Sequence, residues 1–335
     1  MLGTRGVPPS DRRLFSALVR WTIRGAAGLL LLVCALSLIG AVFQHFAAET
    51  DSKRVRPNGR MIAVEGHQFH LHCKGQGIPT VILEPGSGLP SLVWAWVQAQ
   101  VSDTSRVCIY DRAGYGWSEP IDVPMDAENV TRQLYALLKA GNIPVPYVLV
   151  GHSIGGAYMR LLATTHPEAT AALILIDPSS PVGVDWSALG KPSRLWNTSM
   201  DYFAAVGGVR FLLTLGFFAK FWRDLPPEEG AAVKAVLSSP KRMEAAIKER
   251  SSLADTIKQI STLPNLGSLP LTVIYSEKVA SLEITESQKR AWLNSSTSSR
   301  FMIVRGADHI SVLTNKEHAR KVANVIVNAL GSLRR

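Results

Sequence analysis

The sequence predicts an α/β fold, a mostly parallel sheet with helices on both faces, and three observations carry that prediction. Short apolar runs that read as strands alternate with segments of helical periodicity, the pattern of a sheet covered on both sides. Tyr147–Met159, YVLVGHSIGGAYM, joins a buried strand to a helix-compatible segment through a sharp Gly-x-Ser-x-Gly turn with Ser153 at its apex. The alternation breaks between Ser179 and Pro270, where a helical insertion reads as a lid or cap over the sheet.

Composition bounds the rest. A chain of 335 residues accommodates one large α/β domain and an extra segment. Apolar residues make up 47% and charged ones 19%, which excludes a disordered chain and leaves an apolar excess that a membrane segment accounts for. The formal charge of +10 is concentrated at the ends. Arg5, Arg12, Arg13, Arg20 and Arg24 precede the first apolar run, and Arg334 and Arg335 close the chain. No interior basic stripe is interleaved with aromatics, so membrane headgroups rather than nucleic acid are the expected anionic partner. Three cysteines are too few for a disulfide framework; Cys34 lies in the apolar run, and Cys73 and Cys108 read most simply as buried thiols.

In chain order, a basic segment (1–24) leads into Gly25–Phe43, nineteen residues without a charge. At about 1.5 Å per helical residue this nearly matches a hydrocarbon core of about 30 Å. Signal peptides have shorter apolar cores and a small-x-small exit, whereas FQHFAAET puts Phe46 or His45 three residues before any cut. Residues 25–46 are therefore read as an uncleaved single-pass transmembrane anchor, with a cleaved signal as the alternative. Val33 before Cys34 does not suit lipidation. Arg20 and Arg24 abut the run and Glu49 and Asp51 come first beyond it, although Lys53, Arg54, Arg56 and Arg60 nearly balance the count. The expectation is N-terminus in, with the bulk of the chain on the non-cytoplasmic side of the membrane, after a linker at 47–59.

Arg60–Val64 and His67–Lys74 read as strands joined at Glu65–Gly66. His70 and His72 share a face of the second, which is read as a polar edge-strand surface because no acidic or cysteine partner completes a metal set. Thr80–Glu84 runs into Pro85–Gly86–Ser87–Gly88, a turn able to present free backbone amides. Pro90–Val101 reads as helix, Arg106–Asp111 as strand, and Val130, Leu134, Leu137 and Leu138 repeat at helical spacing up to Gly141–Asn142. At the turn that follows, Gly151 and Gly155 let strand and helix approach closely around a strained serine; a plain loop with a capping serine is the alternative. Ala172–Ile176 is a strand ending in Asp177–Pro178. The insertion contains Trp186, Trp196, Phe203 and VGGVRFLLTLGFFAKFW, which Arg210 and Lys220 make too charged to span a membrane. It is read mainly as cap core, with a lipid-dipping surface as the alternative. Leu271–Ser276 and Arg300–Arg305 complete eight strands, and a helix over Asn315–Leu330 closes the chain.

The motifs LEPGSG, YDRAGYGWS, GHSIGG and GADHIS, in that order and separated by strand-helix units, resemble the α/β-hydrolase family from about Arg60 to the C-terminus. The resemblance implies the α/β-hydrolase fold, an eight-stranded, mostly parallel sheet, with a core of 60–178 and 268–335 and a helical cap at 179–267. It implies Ser153 as nucleophile and His309 as base, with His152 shaping the turn. The acid departs from the usual pattern. Relatives carry it in a Gly-Glu-x-Asp turn after the penultimate strand, which here reads Ser276–Glu277–Lys278–Val279, a valine where aspartate is expected. Some relatives, haloalkane dehalogenases among them, place the acid after the strand that follows the nucleophile helix, where this chain has Asp177. Asp177 is taken as the acid, with Glu277 and Glu283 in reserve; Asp308 adjoins the base in sequence and is poorly placed to orient it. The oxyanion hole pairs the amide of Ile154 with that of Ser87, Gly88 being next. Asp111 is expected to brace the sheet. The family topology sets Cys73 beside Cys108, yet strained cross-strand geometry favours thiols over a bridge.

Together these readings describe a membrane-anchored serine hydrolase that cleaves a carboxylic ester or related acyl bond of a small, hydrophobic substrate through an acyl-enzyme, with no cofactor or metal. Serine at the elbow argues against the alkyl-enzyme chemistry of dehalogenases and epoxide hydrolases. Acyltransferase, C–C hydrolase and cofactor-free haloperoxidase chemistry stay open as alternatives. A non-catalytic, membrane-anchored binding protein is the alternative of another class.

Overall fold

The computed structural model describes residues 9–179, 192–282 and 286–334. Arg5, Trp186, Glu283 and Arg335 lie outside them. Eight strands, β1 (Arg60–Val64), β2 (His67–Lys74), β3 (Thr80–Glu84), β4 (Val107–Tyr110), β5 (Tyr147–His152), β6 (Thr170–Ile176), β7 (Leu271–Ser276) and β8 (Ser299–Val304), form one sheet in the order β1-β2-β4-β3-β5-β6-β7-β8. β2 is antiparallel to both β1 and β4, and all other pairs are parallel. The strand order reverses around β3 and β5, the position where open α/β sheets leave a crevice beyond their carboxyl ends.

Period-two alternation divides the core into two layers. Ile82, Leu149, Leu173 and Leu175 pack on one face with α3 (Ala127–Ala140) and α4 (Ile154–Thr165). Val81, Leu83, Val148, Val150, Ile174 and Ile176 pack on the other, with α2 (Ala95–Val101) and the C-terminal helix Lys316–Leu333. Asp126 caps α3 by accepting from Asn129 N–H at 2.9 Å. Between β6 and β7 lie α5 (Arg194–Ala205), α6 (Gly208–Thr214), α7 (Pro227–Leu237), α8 (Pro240–Ser251) and α9 (Leu253–Ser261). The N-terminal helix α1 (Pro9–Arg54) is long and apolar enough to cross a membrane, and its most apolar stretch is unburied. It continues as helix through much of the expected linker.

Three expectations are corrected. His70 is not on a polar edge: β2 is flanked on both sides, and His70 is fully buried with Nδ1 2.9 Å from Asp111 Oδ2 and Nε2 2.6 Å from the Asn58 carbonyl oxygen. Burial pushes its pKa down, but the Asp111 contact outweighs that and holds it above the usual histidine value. Cys73 and Cys108 are not thiols but a disulfide. They face each other across the β2–β4 pair with Cα atoms 4.0 Å apart, and directly opposed antiparallel residues are the closest pairs a sheet offers. The aromatic run is cap core only in part. Leu213 and Ala219 are buried, whereas Phe211, Leu215, Phe217 and Phe218 are more than half exposed.

The bridge sets a thiol count. Denatured, unreduced protein is expected to titrate one thiol, Cys34, and reduced protein all three cysteines. Three thiols before reduction would contradict the bridge.

Candidate active site

β3 and β5 pair in parallel with Glu84 opposite Gly151, so the loops that leave their carboxyl ends, 85–88 and the turn at Ser153, are neighbours. Ser153 adopts φ 55° and ψ −124°, a conformation that costs a non-glycine residue about 1–3 kcal/mol unless its surroundings over-determine it. They do. Ser153 N–H donates to the Ile176 carbonyl at 2.9 Å, and its own carbonyl accepts from Gly156 N–H at 3.0 Å and Ser179 N–H at 3.1 Å. A Cβ on Gly155 would lie 2.6 Å from the Pro85 oxygen, and one on Gly151 would lie 2.4 Å from the Gly155 oxygen. Both flanking glycines are therefore required by backbone approach. Ile154 opens α4, and among the described residues neither its N–H nor that of Ser87 is taken up by an acceptor.

His309 follows β8 in a turn fixed by Asp308, whose Oδ1 accepts from Ile310 N–H at 2.8 Å and Ser311 N–H at 2.9 Å. Its Nδ1 is 3.2 Å from Asp177 Oδ2. Asp177 is buried at φ 43° and is held by the end of β7. Ser276 N–H donates to Oδ1 and Ser276 Oγ to Oδ2, both at 2.7 Å. Glu277 is exposed and accepts from Gly306 N–H at 2.9 Å, so it is not brought to His309. Val279 packs against the core. Ser153 Oγ and His309 are not hydrogen-bonded to each other.

His152 is buried beside His309, with ring centroids 4.5 Å apart, and its Nε2 is 2.8 Å from the His309 carbonyl oxygen. Burial, reinforced by His309, lowers its pKa to about 3, which keeps it neutral. Metal-type donor atoms of His152, Asp177 and His309 all lie within 4.8 Å of one another. Both Asp177 oxygens accept from Ser276, however, His309 Nδ1 lies against Oδ2, and His152 Nε2 is turned to the backbone carbonyl of His309.

A buried network beneath the 85–88 loop escapes sequence reasoning. Arg112 donates to Glu84, to the Pro85 carbonyl at 2.8 Å and to the Gly86 carbonyl at 2.8 Å, and its Nη2 is 3.3 Å from Glu249 Oε1 on α8. Tyr110 donates its hydroxyl to Glu84. Glu249 Oε2 accepts from Ser87 Oγ at 2.6 Å, Gly88 N–H at 2.9 Å and Tyr115 Oη at 2.8 Å. Arg242, also on α8, donates to the Gly88 carbonyl through Nη2 at 2.6 Å. Burial pushes the Glu84 pKa up to about 7 against the pull of Arg112. Burial opposes the Arg112 charge as well, and Glu249 and Glu84 more than restore it. Asp111, beneath the same loop, accepts from Ser91 N–H at 3.0 Å and from Trp117 N–H at 3.3 Å. Glu84 and Arg112 stand inside visible motifs, but no local signal identifies their pairing or marks Glu249.

Residues 81–325 match the model of the alpha/beta hydrolase family. An uncharacterized Bacillus subtilis protein, YbdG, is 28% identical over 210 residues, 61% of this chain and 64% of that protein. A 2-hydroxymuconate semialdehyde hydrolase of a Pseudomonas species is 34% identical over 122 residues, 35% of this chain and 42% of its own length. The match thus spans less than two thirds of either relative. Among solved structures, the enol-lactonase of Burkholderia xenovorans superposes with a TM-score of 0.60 at 21% identity, covering 81% of this chain and all of that one, which shows a shared fold.

The buried network carries a stability prediction. Glu249→Ala removes the acceptor of Gly88, Ser87 and Tyr115 and leaves Arg112 half-paired, so it is expected to lower unfolding stability by about 3 kcal/mol, read as a reduced urea midpoint. An unchanged midpoint would show that the network does not hold cap and loop together.

Proposed function

Because this chain belongs to the α/β hydrolase family, we propose that it is a serine hydrolase that cleaves a carboxylic ester or related acyl bond through an acyl-enzyme. The observation that carries the reading is the His309 Nδ1 to Asp177 Oδ2 contact at 3.2 Å, with Ser276 fixing the acid and a strained Ser153 on the adjoining strand end. Ser153 Oγ attacks the acyl carbon while His309 Nε2 takes its proton, and Asp177 orients the imidazole and stabilises its charged form. The hydrogen bond from Ser153 to His309 tightens in the substrate complex. The developing oxyanion accepts from Ile154 N–H and Ser87 N–H. His309 then protonates the leaving group, activates water against the acyl-enzyme, and returns the proton to Ser153 as the acid departs. His152, held neutral, serves as a support for the His309 backbone rather than as the base. Similarity to the semialdehyde hydrolase favours C–C hydrolysis as a second reading, with the same serine and oxyanion hole.

In the same proposal α1 anchors the enzyme in a membrane as a single span, with residues 47–59 leading to the core at 60–178 and 268–335 and the cap at 179–267. Two observations support catalysis on the non-cytoplasmic side. One is the charge order around the apolar run; the other is the Cys73–Cys108 bridge, a bond that persists in oxidising compartments.

A serine-directed fluorophosphonate is expected to label the folded protein, and Ser153→Ala to abolish labelling. No labelling of wild type would favour a non-catalytic binding protein. Asp177→Asn is expected to reduce kcat by about 10³–10⁴-fold with little change in KM; near-normal turnover would exclude Asp177 as the acid.

A further inference from the structure

The anchor helix touches the cap inside its own apolar run. Ser37 is hydrogen-bonded to the Tyr202 hydroxyl, and Gly40 meets the carbonyl of Val206 so closely that a Cβ there would lie 2.4 Å from the oxygen. One turn further on, Gln44 Nε2 donates to the Ser238 carbonyl at 3.0 Å and Gln44 Oε1 accepts from Arg210 Nε at 2.8 Å. Arg210 Nη1 then reaches Asp51 Oδ2 at 2.7 Å. Ser37 lies six residues before Phe43, the end of the charge-free run, which on a helix is about 9 Å. The polar contacts at Arg210 and Asp51 fall beyond that end. If α1 spans the bilayer, α5 and α6 therefore cross the boundary between hydrocarbon and headgroups.

The same two helices and the segment that follows them expose apolar side chains. Leu195, Trp196, Phe211, Leu215, Phe217 and Phe218 are each more than half exposed. Exposed Arg194, Lys220 and Arg223 accompany them, the mixture of large apolar and basic groups that suits a surface set into anionic lipid. Beneath lies a cavity of about 350 Å³ lined by Met200, Phe203, Val209, Leu212 and Phe218, with Ser87 and Arg242 its only polar lining among the described residues. Phe218 both lines the cavity and faces outward, which puts it at the mouth. Ser87, also in the lining, adjoins Gly86, where a Cβ would lie 3.1 Å from Ser153 Cβ. The volume is at the small end of ligand pockets and the lining is almost wholly apolar.

We propose that this apolar face of the cap sits in the bilayer beside the anchor, and that the cavity behind Phe218 receives the acyl chain of an ester drawn laterally from the lipid. The continuity of the face with the anchor contact identifies lipid, rather than a second protein, as its occupant. The second half of the proposal rests on the serine hydrolase reading; the first half rests only on the anchor.

The test uses the full chain in liposomes of phosphatidylcholine with a minor fraction of phosphatidylglycerol. An environment-sensitive fluorophore on Phe217→Cys, in a Cys34→Ser background that leaves only the bridged cysteines, is expected to emit to the blue and to be quenched by nitroxides on the lipid acyl chains. The same label on Lys139→Cys, an exposed position near the end of α3, is expected to behave as in water. Water-like emission from position 217, or ready cross-linking of two copies through it, would overturn the seating. The double variant Phe211→Glu, Phe217→Glu is expected to lose tenfold or more of its rate on a long-chain ester dispersed in the liposomes while hydrolysing p-nitrophenyl acetate at the wild-type rate. Equal effects on both esters would overturn lateral admission. An immersed label at position 217, together with wild-type protein that hydrolyses neither ester, would support the seating and sink the admission together with the hydrolase reading.

Discussion

The candidate active site depends on how closely three pieces of backbone approach one another: the end of β5, the first turn of α4 and the loop after β3. At Gly155 and Gly151 there is no room for a single methyl group, because backbone oxygens lie 2.6 and 2.4 Å from where it would be. That closeness turns Ser153 into its positive-φ conformation and holds the loop against it, so that a Cβ on Gly86 would lie 3.1 Å from Ser153 Cβ. A local cost of about 1–3 kcal/mol is sustainable because β5 is buried along its whole length between β3 and β6. Strain at Ser153 and Asp177 occurs on neighbouring parallel strands, both at their carboxyl ends, so the sheet itself supplies the rigidity that the geometry needs.

A second constraint acts through charge. Arg112 is fully buried, and a buried guanidinium persists only when carboxylates and carbonyls enclose it. Glu84 comes from the sheet, the Pro85 and Gly86 carbonyls from the loop, and Glu249 from α8 of the cap. Glu249 and Arg242 also grip Gly88 from its N–H and its carbonyl. Sheet, loop and cap are thereby joined into one electrostatic unit. Displacing α8 would strip partners from the buried charge and from the loop at once, which ties the position of the cap to that of the loop after β3.

What was legible in the sequence followed from local pattern. The fold could be read from strand-helix alternation, and the turn at Ser153 from two glycines whose necessity is steric. Val279 stands at the usual position of the acid, which points to Asp177, and the structure brings Asp177 to His309 with Ser276, the first residue of the same turn, holding it. The misreadings share one cause: they depended on what lies across the sheet or across the cap. His70 reads as an edge residue because nothing in its own strand reveals that β4 and Asp111 lie against it. The Cys73–Cys108 pairing depends on the β2–β4 register, and Glu249 meets Tyr115 across 134 positions of sequence. The aromatic run after Val206 has the composition of a core, and only three-dimensional packing shows which of its side chains find one.

The proposed function rests on covalent chemistry at one hydroxyl, and the direct measurement is to catch the bond it would form. Wild-type protein mixed with an activated ester, quenched with acid within the first turnover and mapped by peptide mass, is expected to carry the acyl group on Ser153. Acyl group on another residue, or turnover without any acylated peptide, would contradict the account.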